Sequence, residues 1–155
     1  MQKTPFMIAL FTAITVGFAP LAYSQTPSEP VASQDIKSET KVLIKTLGRY
    51  TDTQRDEAKQ TAEKAMIKLD SRIETLENRI DKNWNNMTQA TQKQAKENLK
   101  ALRQQRNELA EWYGGFKHSS SSAWDDVKQG FSGAYQSINS ALDKALNEYE
   151  KDKKE

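Results

Sequence analysis

One histidine, His118, stands directly before four serines, Ser119 to Ser122, with Asp125 and Asp126 close behind. Serine, histidine and aspartate are the parts of a hydrolytic triad. That chemistry needs a nucleophile and a base in fixed hydrogen-bond geometry beside an oxyanion hole, on a rigid frame. Gly114 to Ser122 reads instead as a Gly/Ser loop between helices, with the acidic pair capping the helix that follows. A metal site built from His118, Asp125 and Asp126 fails on donor count. Borderline metals take three or four converging nitrogen or sulfur ligands, and the chain has one His and no Cys. No catalytic residue, metal ligand or cofactor is expected, and the chain reads as non-enzymatic.

Two other sets of residues carry contact chemistry. Lys37, Lys41, Lys45 and Arg49 recur every four residues, opposite Ile36, Leu43, Leu47 and Tyr50. A basic amphipathic helix of this kind can lie on an anionic membrane surface, or it can be a bundle-end helix with a solvated polar face. The second set is aromatic. Trp84, Tyr113, Phe116, Trp124, Phe131, Tyr135 and Tyr149 fall on helical apolar stripes and read as core, whereas Trp112 falls off its stripe beside Gly114-Gly115. Trp112 and, despite its place on a stripe, Trp124 are the aromatic candidates for a partner or lipid contact. With 23 Lys+Arg against 21 Asp+Glu and a formal charge of +2, the chain lacks the basic footprint from which nucleic-acid affinity comes. Along the predicted helices acids and bases alternate, as on a salt-bridge-laced solvated surface.

The elements that must position these residues follow from periodicity. Lys3, the apolar stretch Phe6–Leu21 and the small residues of Ala22-Tyr23-Ser24 match an export signal over 1–24. The uncharged stretch is shorter than the roughly 20 residues a spanning helix needs. Residues 25–34, with Pro27 and Pro30, read as a linker. No proline follows Pro30, and Ala, Glu, Lys, Gln, Leu and Arg dominate, the residues that lose least in a helix. A short basic amphipathic helix is expected over 35–50, a helical bundle or coiled-coil domain over 51–150, and a charged tail over 151–155.

Within that domain, Ala58, Ala62, Ala65/Met66, Leu69, Ile73, Leu76, Ile80 and Trp84 form one stripe, after a capping-box spacing at Thr53 and Asp56. Asn83, Asn85 and Asn86 weaken the helix, and Thr88 or Thr91 can cap a new one. The next stripe is Ala95, Leu99, Leu102, Leu109, Tyr113 and Phe116, with Arg106 in the seam as a register-setting polar residue. Gly114-Gly115 is expected to end that helix. Ser122 and Asp125 are spaced to open the last one, whose stripe is Trp124, Val127, Phe131, Tyr135, Ile138, Leu142, Ala145 and Tyr149. The fold class is all-α. It is either an antiparallel three-helix bundle, with the short helix outside or packed on one end, or a long helical hairpin if residues 54–113 form one rod.

The run Ala123-Trp124-Asp125-Asp126-Val127-Lys128-Gln129-Gly130-Phe131, continuing to Ala134-Tyr135 and Ala141-Leu142-x-x-Ala145, resembles the last helix of a family of small bacterial helical, coiled-coil stress-response proteins, sometimes described as apolipoprotein-like. Leu99-x-x-Leu102-x-x-x-Arg106 and the Leu69/Ile73/Leu76 ladder are similar to its upstream heptads. The resemblance spans roughly residues 65 to 148 and implies a helical, non-enzymatic protein linked to stress. It supplies no catalytic or ligand residues. Together with the export signal, the expectation is a periplasmic structural or interaction factor in envelope stress tolerance, with a protein partner or self-association. The alternative is a peripheral membrane- or lipid-binding protein using the basic helix on an anionic surface.

Overall fold

The computed structural model describes residues 33–152. The export signal and residues 25–32 of the linker lie outside the described residues, as do residues 153–155 of the tail. Four helices follow one another: α1 (Ser33–Arg49), α2 (Arg55–Asn83), α3 (Gln89–His118) and α4 (Trp124–Asp152). Single 3₁₀ turns at Asp52–Gln54 and Trp84–Asn86 fill two of the corners, and the described residues contain no strand. Helix begins two residues inside the expected linker, at Ser33, and runs two residues into the expected tail.

Local chemistry sets the breaks. The Gln54 side chain accepts the Thr51 N–H at 3.3 Å, so the first corner is capped at Thr51 and not at Thr53. At the second, the Asn83 amide donates to the Arg79 carbonyl at 2.9 Å and to the Tyr149 hydroxyl, and the chain tightens into the 3₁₀ turn. Thr88 is extended and accepts the Thr91 N–H at 3.2 Å, capping α3. Residues 54–113 are therefore two helices, and the bundle holds over the hairpin.

The expected stop at Gly114-Gly115 is not there. α3 continues through both to His118, and no described glycine has positive φ. Gly115 serves a close approach instead: a Cβ there would stand 2.8 Å from Val127 Cγ2, so only hydrogen lets α3 and α4 meet at that level. Before α4, Ser120 accepts the Ala123 N–H at 3.3 Å, taking the role expected of Ser122.

The helices run up-down-up-down. Tyr50 meets Thr61 while Glu39 meets Lys68 and Arg72, so α1 and α2 are antiparallel. Arg106 binds Asp70 through two bonds of 2.5 and 2.8 Å, and Arg103 binds Glu77, fixing the register of α2 against α3. Asn98 reaches Glu148 while Phe116 meets Trp124, so α3 and α4 are antiparallel too. α1 packs along α4 and more lightly on α2, closing the ring. Its 17 residues span about 25 Å against about 45 Å for the others, at 1.5 Å per residue. One end of the molecule thus has four helices around the core, and the other has three.

The core is the set of stripes read from the sequence. Leu47, Leu69, Leu76, Leu102, Leu109, Phe116, Phe131, Ile138 and Leu142 are fully buried, each contributing roughly 1.5–3 kcal/mol by leaving water. The whole expected stripe of α4, Trp124 to Tyr149, is buried.

Candidate interaction surface

Lys37, Lys41, Lys45 and Arg49 are all exposed on α1. Four residues advance a helix by slightly more than one turn, so the stripe drifts about 40° per step and winds across the outer face. Lys37 Nζ lies 3.3 Å from Asp143 of α4. Lys41, Lys45 and Arg49 enter no ion pair among the described residues. Val42, 64% exposed, stands among them. The other side of α1 is spent: Ile36, Leu43 and Leu47 are buried in the common core. In the folded protein, α1 presents charge outward but not the apolar half of an amphipathic helix.

The two tryptophans part company. Trp112 is 36% exposed, and its ring lies on Gly130 of α4, where a Cβ would overlap it. That contact explains the glycine in the Trp124–Phe131 run. Trp124 is buried, which corrects its reading as a surface contact. Its indole N–H donates to the Tyr50 carbonyl at 3.2 Å, and Lys128 Nζ donates to the same oxygen at 2.9 Å. Phe116 meets it edge-on at 5.5 Å, and the Arg55 guanidinium stands 4.9 Å from the ring centroid while donating to the Ser119 carbonyl. Trp124 is thus the pin of a corner where the end of α1, the starts of α2 and α4, and the end of α3 meet. The cation over its face is attracted by the ring quadrupole. Trp112 sits on the α3/α4 seam, with α4 between it and the lysine stripe, so the structure does not bring the candidate residues into one patch.

A polar layer under α1 went unnoticed in the sequence. All four buried polar residues among those described, Thr40, Arg72, Asn139 and Asp143, line the contacts of α1. Glu39 bridges Lys68 and the buried Arg72. Burial pushes the Glu39 carboxyl up, but hydrogen bonds from Lys68 and Arg72, with their charges, outweigh it and hold it below the usual carboxylate range. Arg72 Nε and Nη1 and Asn139 Oδ1 have no hydrogen-bond partner among the described residues. The available signal was position: Asn139 lies four residues after Tyr135 and next to Ile138, and Arg72 lies next to Ile73, on or beside buried stripes.

His118 is exposed at the end of α3. Among the described residues no three His, Asp or Glu are placed to hold a metal ion. No described helix is long and apolar enough to cross a membrane.

Residues 84–93 and 124–134 match the model of a family described as the TMP repeat. Each segment opens on Trp with an apolar residue three positions on, Trp84/Met87 and Trp124/Val127. The first spans the α2–α3 corner and the second opens α4, so the two sit at opposite ends of the bundle. Each Trp ring lies under a cation, Lys96 over Trp84 at 5.0 Å and Arg55 over Trp124. No curated protein and no solved structure matches the chain. The two short matches make the chain similar to a helical family, and the second falls on the run Ala123–Phe131.

Proposed function

We propose that this chain is an exported, non-enzymatic helical bundle that acts in the bacterial envelope as a structural or interaction factor in stress tolerance, through a protein partner or self-association. The observation that carries the reading is the fate of α1. Its apolar residues complete a core shared with α2 and α4, so Lys41, Lys45 and Arg49, which enter no ion pair among the described residues, stand on a packed surface, and such a surface suits an anionic partner. The stress link rests on the resemblance of the Ala123–Phe131 run, and the export on the pattern of residues 1–24.

A second reading keeps one observation of its own. Val42 is exposed between Lys41 and Lys45, and cations around an apolar side chain also favour an anionic lipid surface. Flotation of the chain from Gln25 with anionic and neutral vesicles, at low and high salt, separates the two. The protein reading expects no flotation. Salt-sensitive flotation with anionic vesicles alone, abolished by changing the four basic residues of α1 to Gln, would replace it with the membrane reading.

A further inference from the structure

α1 is held differently from the other three helices. Two open grooves flank it, about 260 Å³ against α4 and about 380 Å³ against α2. Its apolar anchors are Ile36, Leu43 and Leu47, whereas the α3/α4 seam carries Leu102, Leu109, Phe116, Phe131 and Leu142. Three of the four partnerless buried side-chain atoms among the described residues, on Arg72 and Asn139, belong to the layer that α1 covers. Three ion pairs clasp the helix from its two sides: Glu39 to Lys68 and to Arg72 of α2, and Lys37 to Asp143 of α4.

The clasp turns on Glu39. Arg72 is buried, and among the described residues Glu39 supplies its one hydrogen-bonded carboxylate. Without that charge, a buried guanidinium faces no counter-ion and must draw water in. The described groups facing Glu39 are cations and a phenol. From α2 come the cations Lys64, Lys68 and Arg72. From α4 comes the Tyr135 phenol, pushed up by burial and so neutral throughout the acid range. Asp143 of α4 is engaged by Lys37 on the other flank.

We infer that α1 is an acid-released clasp: protonation of Glu39 lets α1 lift away from α2 and α4, which with α3 stay folded, and uncovers a seat containing Arg72, Tyr135 and Asn139. The sign follows from the lowered Glu39 carboxyl. Its stabilising effect is complete above the ordinary glutamate range and is lost as pH falls through the lower folded value. The clasp is shut at neutral pH.

Amide hydrogen exchange on the chain, corrected for intrinsic rates, tests this helix by helix. In wild-type protein the protection of α1 relative to α4 should fall as the pH drops below the ordinary glutamate range and through the lower folded value of Glu39. In Glu39→Gln, α1 amides should exchange about tenfold faster than wild type at pH 7, with α4 within about twofold and the α1/α4 ratio flat in acid. Equal loss across all helices, or a variant indistinguishable from wild type, overturns the clasp. Arg72→Met guards against a Glu39 variant that fails to fold. With no buried cation to abandon, its α1 should stay protected in acid, and an acid release as large as wild type also overturns the inference.

Discussion

The two ends of the bundle solve the same problem with different materials. At the four-helix end Phe116, Phe131, Tyr135 and Trp124 fill the wider interior, in edge-on contact at 5.3 and 5.5 Å and stacked at 6.2 Å. At the three-helix end the helices close on Ile80, Ala95, Ala145 and Tyr149, beside a cavity of only about 30 Å³. The polar residues follow the same division. At the wide end they lie under α1 with atoms left unpaired. At the narrow end the Tyr149 hydroxyl donates to the Arg79 carbonyl at 2.7 Å and accepts from Asn83. Rigidity therefore belongs to the narrow end and to the α3/α4 seam, and adjustability to the seat of α1.

The largest effect expected from breaking this contrast is at Phe131. Phe131→Ala should cost about 3–5 kcal/mol in chemical denaturation, because the ring fills the widest part of the core and its neighbours cannot collapse onto the gap. A loss below 1 kcal/mol would mean the aromatic end is loosely packed after all. Gly130→Ala should cost about 1–3 kcal/mol, by displacing the Trp112 ring from α4. Fluorescence quenching by iodide should rise with it; unchanged quenching would show that the ring does not depend on the glycine. Smallest is Tyr149→Phe, at about 1 kcal/mol for the lost hydroxyl bonds. Its signature is local, with faster amide exchange around residues 79–83 and none in α1.

Much of the fold was legible because periodicity records burial. The stripes of α2, α3 and α4 follow from residue type and spacing alone, whereas the asparagines at 83–86 leave one rod over 54–113 open, and the hydrogen bonds of Asn83 and Thr88 decide for a break. What escaped has a common physical cause. Gly114-Gly115 resembles a helix end when read along the chain, but its use is set by Val127 on a different helix. Arg72, Asn139 and Asp143 look like surface residues to any reading that equates charge with solvent, and only the arrival of α1 buries them. Trp124, singled out for contact, is claimed by the Tyr50 carbonyl, 74 residues earlier in the chain. Of the candidate surface, the α1 stripe and the exposure of Trp112 were legible; the polar layer was not.

The ring closure of α1 on α4 also fixes an order of events during synthesis. Tyr50 receives hydrogen bonds from Trp124 and Lys128, the latter 78 residues downstream. At about 5–20 residues per second, the ribosome delivers that partner roughly 4–16 s after Tyr50 itself. The α2/α3 and α3/α4 hairpins join neighbours in sequence and have their partners sooner. Of the described helices, α1 therefore meets α2 early but waits for α4 to complete its packing, and for that interval the part of its buried face that α4 covers is open to whatever the nascent chain meets.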